Sequence, residues 1–438
     1  MHPLYDLAAN LAGPPLVLSA AARGRFGGRW RERLGLTFFP RRVYGRPRLW
    51  LHGASVGEIH SAAAVAAALL SARPEADLYL SATTPAGLKT AAGLFAGEGR
   101  VRVLAVPLDF WGAPGRAAAR LQPDALIILE TELWPNLIEA AQAQGARLIL
   151  ASARLTDRSF RRYRLVRPAL AGLLARFDLI AAAGPRERDL FAALGAPEER
   201  LTVLGNPKFD RLLSRAAGPD FRNSVSTLGA RLWGSGRAGP LVVAGSTHPG
   251  EEAILAEAFS RLATDRPALR LVLAPRHVGR ASAVAELLRA RGLTAILSGR
   301  AAPPFFPGAQ AVVVDTLGEL SAFYALATVA VVGGSLTTGL TGHNPLEPAA
   351  VARPIVFGPH MAGFADEARG LLARGGARAG TPATLAEDLA GWLDEPARAE
   401  AAGRAAFDFL AARPPAAPAL AEAILNFFPE KEARLCPG

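Results

Sequence analysis

Leu49-Trp-Leu-His52 runs straight into Gly53-Ala-Ser-Val-Gly-Glu58, and an alanine-rich stretch begins at Ile59. A short apolar run, a glycine-bracketed turn and a helix-forming stretch make a strand-turn-helix unit. Gly53 and Gly57 permit a tight turn with close backbone approach, and Ser55 is placed to cap the helix that follows. The pattern recurs. Apolar runs stand at Leu78–Ala82, Val101–Val106, Ala125–Glu130, Arg147–Ala151, Leu179–Ala183 and Leu201–Leu204, with Ala- and Leu-rich segments between most of them. Strands that read as continuous apolar runs are buried on both faces, so helices between them predict a parallel α/β sheet.

A second series follows at Leu241–Gly245, Leu269–Ala274, Ala311–Asp315, Val329–Gly333 and Pro354–Phe357. Residues 216–240, rich in Gly, Ser and Arg, read as a linker between the two. At roughly 100–200 residues per domain the length also asks for two. The expected fold is α/β: two Rossmann-like domains, 36–215 and 241–400, facing across a cleft, with ligands beyond the carboxyl ends of the strands. Residues 401–438 read as helices packing back on the body through Phe407, Phe409 and Leu410.

Composition narrows the functional classes. Half of the 438 residues are hydrophobic and 20% are charged, which excludes a disordered chain. One cysteine, Cys436, excludes an intrachain disulfide, a cysteine zinc site and an iron–sulfur cluster. The net charge of +11 suits nucleic acid, an anionic membrane surface or an anionic small substrate. Placement has to choose. Leu4–Ala22 is mostly apolar, and nine arginines against one acid, Glu32, lie between Arg23 and Arg48. Asp6, Asn10 and Pro14–Pro15 weaken a spanning helix. Residues 1–35 therefore read as an interfacial membrane segment whose basic flank meets anionic headgroups and keeps the globular part cytoplasmic. An ordinary packed first helix is the alternative. A second basic cluster, Arg154, Arg158, Arg161, Arg162, Arg164 and Arg167, is either a phosphate- or headgroup-binding face or a solvated one.

Polar residues gather at the strand ends. Glu58 falls in the first turn of its helix, as a dipole-stabilised surface acid or as a catalytic carboxylate. Glu130 and Glu132 directly follow an apolar strand, where acids are costly unless solvated or paired. Lys208, in Gly205–Asp210, is one of only three lysines, with Lys89 and Lys431, in a chain that otherwise uses arginine. A compact ammonium suits a concentrated anionic charge such as phosphate. In the second series Ser246 and Thr247 open a helix start fit for an anion. Pro275, Arg276 and His277 end the next strand, Leu317-Gly318-Glu319 ends another, and a Gly333–Ser335 turn leads to Asn344-Pro345-Leu346-Glu347. Together these predict a phosphate-bearing nucleotide site.

Other chemistries are unsupported. The seven histidines show no HExxH or close His/Asp spacing, so no metal is expected. His52, on an apolar strand end, reads as a core histidine. Neither a Walker lysine nor a G-x-S-x-G elbow occurs, and with aromatics at 7% nothing suggests a nucleic-acid platform.

Taken together, His52–Glu58 (HGASVGE), Glu130–Asn136 (ETELWPN), Gly205–Asp210 (GNPKFD), Ala244–Glu252 (AGSTHPGEE), Ala274–His277 (APRH), Thr316–Leu320 (TLGEL) and Gly342–Pro348 (GHNPLEP) resemble the 3-deoxy-D-manno-octulosonic acid (Kdo) transferase family, in family order over about 300 residues. The resemblance implies a GT-B glycosyltransferase with an amino-terminal acceptor domain and a carboxy-terminal donor domain. It implies CMP-Kdo as donor, the tetra-acylated bisphosphorylated lipid A precursor (lipid IVA) as acceptor, no cofactor or metal, no nucleic acid, and a place on the cytoplasmic side of the inner membrane. By matching position Glu58 is the general base, and Glu130 and Lys208 are transition-state groups. Pro275, Arg276, Leu317, Gly318, Glu319, Asn344, Pro345, Leu346 and Glu347 would hold CMP. The competing readings are another nucleotide-sugar transferase or an epimerase, and a non-catalytic basic module on a membrane or nucleic acid.

Overall fold

The computed structural model describes residues 3–22, 28–236, 238–306 and 308–429. Two compact units emerge, Met1–Asp210 with Pro414–Gly438, and Arg211–Arg413. The first holds β1 (Arg48–Gly53), β2 (Asp77–Ala82), β3 (Val101–Ala105), β4 (Ala125–Leu129), β5 (Arg147–Ala153), β6 (Leu179–Ala182) and β7 (Leu201–Val203). All pair in parallel, in the order β3-β2-β1-β4-β5-β6-β7. Alternation along a strand sends neighbours to opposite faces. Leu49 and Leu51 pack with the helix Val56–Ala72, whereas Trp50 joins the cluster of the helices Ala113–Leu121 and Pro135–Ala143. From β1 the chain winds outward through β2 and β3, then returns to β4 on β1's other side. That reversal makes the carboxyl ends of β1 and β4 the switch point where such sheets bind ligands.

The second unit repeats the plan with β8 (Leu241–Thr247), β9 (Arg270–Pro275), β10 (Ala295–Leu297), β11 (Ala311–Val313), β12 (Val329–Val332), β13 (Ile355–Phe357) and β14 (Ala377–Ala379). Their order is β10-β11-β9-β8-β12-β13-β14, so its switch point lies between β8 and β12. Every strand expected from the sequence is present. β10 and β14 were not expected. Each is three residues long at a sheet edge, and β14 carries Arg378, whose guanidinium stacks 4.0 Å from the Trp392 ring centroid.

Three expectations need correction. Residues 216–240 are no linker, since the helix Pro219–Trp233 occupies most of them and buries Leu228 and Leu232 in the second unit. Its apolar residues Phe221, Val225, Leu228 and Leu232 recur at helical spacing among polar ones, and the Gly, Ser and Arg content masked that stripe. The division between units falls earlier, within the helix Pro207–Ala217. The carboxy-terminal helices also part company. Pro396–Ala411 belongs to the second unit, whereas Ala416–Leu425 buries Leu420 and Ile424 against the core of the first. Leu410 is buried, but Phe407 is 37% exposed, and Phe409 lies beneath the guanidinium groups of Arg374 and Arg413.

At the amino terminus the helix Pro3–Ala22 continues through Pro14–Pro15. Tyr5 donates to Asp109 at 2.7 Å and Asn10 accepts from the Trp111 amide at 2.8 Å, while Leu7, Leu11 and Leu18 stay exposed. No helix of the described residues is long and apolar enough to cross a membrane. Not all of the basic run is available to headgroups: Arg33 and Arg48 are buried and donate to the carbonyls of Thr83, Leu121 and Pro40. Arg23, Arg25, Lys431 and Cys436 lie outside the described residues.

Candidate active site

In the first unit β1 delivers Gly53 to the switch point and the helix Val56–Ala72 starts at once. Ser55 caps it, its hydroxyl accepting from the Glu58 amide at 3.4 Å. Glu58 answers, one carboxylate oxygen accepting from the Ala54 amide at 2.7 Å and the other from the Ser55 hydroxyl at 2.8 Å. This reciprocal arrangement is a variant of the capping box, with the carboxylate on the amide before the cap and on the cap hydroxyl rather than on the cap's own amide. It fixes the carboxylate in one orientation while leaving the residue half-exposed.

β4 brings the second acid. Glu130 adopts a φ of 60°, in the left-handed region that side-chain-bearing residues rarely occupy. Such strain persists where the surroundings hold it, often at functional positions. Its carboxylate forms an ion pair with the Lys208 ammonium. Lys208 enters from the start of the helix Pro207–Ala217, its amide donating to the buried Asn206 side chain at 3.0 Å. The ammonium lies over Gly57, where an added Cβ would stand 3.8 Å from Nζ. Glu58, Glu130 and Lys208, separate in sequence, thus meet at one switch point. Glu132 joins them. Burial first, then the charge of Glu58, raises its pKa above the ordinary carboxylate value, against the hydrogen bond from the Trp134 indole at 3.0 Å.

The rest of these motifs builds the frame. Asn136 donates to the Asp109 carbonyl at 2.6 Å, and the Asp109 carboxylate accepts from the amides of Asn136 and Leu137, capping the helix Pro135–Ala143. Asp210 accepts from the Ala416 and Ala417 amides at 3.0 and 2.7 Å, which ties the last helix to the first unit.

In the second unit two acids of the AGSTHPGEE stretch are internal. Glu251, fully buried, accepts from the amides of His248, Gly334, Ser335 and Leu336 at 2.7–2.9 Å. Those amides of the Gly-rich turn, expected to serve an anion, are therefore already occupied by a carboxylate. Glu252, also buried, pairs with Arg280 at 2.8 Å and accepts from the Thr247 hydroxyl at 3.0 Å. Thr247 is fully buried, so its hydroxyl is committed inward and does not face a donor phosphate. Ser246 remains half-buried, with a φ of 57°.

What stays presented is a smaller set. Arg276 and His277 are exposed at the end of β9. Pro275, Pro345 and Leu346 are buried. Asn344 accepts from the Leu346 amide at 3.0 Å. Glu347 has its pKa raised by burial, partly opposed by the charges of Arg215 and Arg276. Glu319 pairs with Arg231 at 2.7 Å and accepts from the Thr316 hydroxyl, while Leu317 is 86% exposed. A cavity of about 610 Å³ opens beside this segment, walled by Arg215, Arg231, Gly318 and Glu319. Among the described residues no group of three His, Cys, Asp or Glu side chains could hold a metal ion.

Residues 28–211 match the family model of 3-deoxy-D-manno-octulosonic-acid transferase (Kdo transferase). A 3-deoxy-D-manno-octulosonic acid transferase of Bordetella pertussis is 34% identical over 93% of this chain and 95% of its own length. The chain belongs to the Kdo transferase family. A second relative of that name, from Haemophilus influenzae, is 33% identical over 74% of this chain and 73% of its own. This member is accordingly a glycosyltransferase. UDP-GlcNAc 2-epimerase from Neisseria meningitidis shares the GT-B type fold, with a TM-score of 0.62 and 11% identity over 86% of this chain and 100% of that one.

Sequence reading of this Kdo transferase missed several participants. The S-x-x-E spacing of Ser55 and Glu58 carries the signal of a capping-box pairing beyond the serine cap alone. Two acids after the glycine at a helix start gave the signal for Glu251 and Glu252, although nothing in the spacing says that they point inward. Asp109 carries no local signal, because its partners lie 27 and 28 residues away.

Proposed function

We propose that this family member moves Kdo from CMP-Kdo to a bisphosphorylated lipid A precursor of the lipid IVA kind, with inversion at the anomeric carbon, in lipopolysaccharide synthesis. The observation that carries the reading is the meeting of Glu58 with the Glu130–Lys208 ion pair at the first switch point. Inversion needs a base to take the proton of the acceptor hydroxyl on the face opposite the leaving group. Glu58 suits that role, since both oxygens are oriented by hydrogen bonds and each keeps a lone pair for the incoming hydroxyl. Lys208, held by Glu130, places a fixed positive charge beside the base, where it counters charge developing on the reacting sugar and its carboxylate.

CMP departs as a phosphate monoester anion. Arg276, exposed and without an ion pair among the described residues, suits that charge, and the segments at 317–319 and 344–347 suit the nucleoside. Charged side chains do the stabilising in this scheme, so no metal enters it. The acceptor phosphates find a counterpart in the helix Asp157–Leu165, which buries no residue and exposes Arg158, Arg161, Arg162 and Arg164. The exposed leucines of the helix Pro3–Ala22 suit peripheral attachment to the cytoplasmic side of an anionic inner membrane. The test is incubation with CMP-Kdo generated in situ and lipid IVA in EDTA, with products read by mass. A gain of one or more Kdo masses is expected. No product from a folded, CMP-binding protein sinks the acceptor assignment, and product that disappears only with EDTA sinks the metal-free scheme.

A further inference from the structure

The loops after β8 and β12 each carry a histidine, and the two meet. His248 Nε2 lies 2.8 Å from His343 Nε2, with the rings 8° from parallel. Nitrogens at that separation share one proton, one ring donating an N–H and the other accepting with its lone pair. The pair in this state is neutral. Both loops are fixed from behind: the His248 amide donates to Glu251 and the His343 amide donates to the Gly333 carbonyl at 3.1 Å. The His343 ring packs so closely on Gly334 that an added Cβ would come within 2.8 Å of it.

The charged and titratable groups around the pair come from two elements. Arg276 and His277 stand after β9, with the His277 ring edge-on to His248 at 6.1 Å. Glu251 and Glu252 open the helix Glu251–Asp265, but four amides saturate the first and Arg280 neutralises the second. At His343 the remaining field is cationic, whereas at His248 the charge of Glu251 opposes the effect of burial. Burial first, then its neighbours His248, Arg276 and His277, holds His343 down to about 4, and burial lowers His248 as well. A site that resists protonation in this way accepts a proton once an anion cancels the surrounding charge.

We propose that His248 and His343 form an anion-binding pair that takes up one proton when a phosphate or carboxylate of the donor settles beside Arg276. The proposal rests on the donor-site reading above. One proton from solvent joins the accepting Nε2, the bond between the histidines opens, and both Nε2 atoms become N–H donors to the anion. The pair goes from neutral to a single positive charge, and departure of the anion with loss of that proton restores the shared bond.

Calorimetry of CMP binding to the full chain at pH 6.0, in buffers of different ionisation enthalpy, counts the protons. The wild type is expected to take up about one more proton per CMP than His343→Asn, since the nucleotide's own titration is common to both and cancels. Between pH 5.5 and 7 its affinity gains up to about tenfold more per unit of acidification than the variant's. Excess uptake with CMP but not free Kdo assigns the phosphate, the reverse assigns the carboxylate, and cytidine gives none. His248→Gln, which leaves the packing on Gly334 intact, must reproduce the difference if His343→Asn does not fold. Equal uptake in wild type and folded variant overturns the pair and leaves the donor site standing. A wild type that binds no CMP overturns both.

Discussion

The ends of β1 and β4 and the ends of β8 and β12 are the same place in two similar sheets, yet the acids there are spent differently. In the first unit Glu58 and Glu130 stay half-exposed, one oriented by a capping box and the other by Lys208. In the second, Glu251 and Glu252 are 0% and 1% exposed and are consumed in holding loops. The first switch point presents carboxylates, and the second hides them behind an exposed arginine and three imidazoles. A base is useful where a hydroxyl must lose a proton, and carboxylates repel where a nucleotide phosphate must bind. On the function proposed above, the same residue type serves as reagent in one unit and as scaffold in the other.

The comparison breaks first at Glu58. Glu58→Gln keeps an acceptor for the Ala54 amide while removing the proposed base, so turnover is expected to fall by about 10²–10⁴-fold, with CMP affinity nearly unchanged in a titration. Lys208→Ala removes the fixed charge and is expected to cost about 10²-fold in kcat, measured at saturating donor. Lys208→Arg restores little, because a planar fork does not replace a compact ammonium lying over Gly57. An unchanged rate in Lys208→Ala removes that residue from the chemistry.

Two smaller effects separate scaffold from reagent. Buried His52, hydrogen-bonded through Nδ1 to Ser81, is held down to about 4 by burial. Its folded value lies below the unfolded one near 6.5, so the unfolded state binds more protons between those values. Stability of the first unit is therefore full above about pH 6.5 and declines as pH falls toward 4, by up to about 3 kcal/mol. Denaturant melts against pH should show that slope, and His52→Asn should flatten it without CMP having any effect. Glu251→Gln loses charge at a carboxylate that accepts four amides, and is expected to cost about 2 kcal/mol in the second unit's denaturation. It weakens CMP binding through the loops, and turnover at saturating donor stays near wild type.

Much of this was legible because the strands are long apolar runs with glycine turns at their carboxyl ends, and because Glu58, Glu130 and Lys208 each follow such a run. Sheet order then did what spacing could not, bringing residues 58, 130 and 208 to one switch point. What escaped was decided by packing. β10 and β14 are too short to show a period. The helix Pro219–Trp233 hid its apolar stripe among polar residues. The Thr247 hydroxyl turned inward because Glu252 is there to accept from it, a partner five residues on that could as well have faced a ligand.

The central claim is that the base sits at the first switch point and the nucleotide is held at the second. Kdo transfer and CMP binding measured side by side on Glu58→Gln and Arg276→Ala test it most directly. The account predicts that Glu58→Gln binds CMP and transfers almost nothing, while Arg276→Ala loses CMP affinity and regains turnover at high donor concentration. A Glu58→Gln protein that transfers at the wild-type rate, or that fails through lost CMP binding, contradicts it.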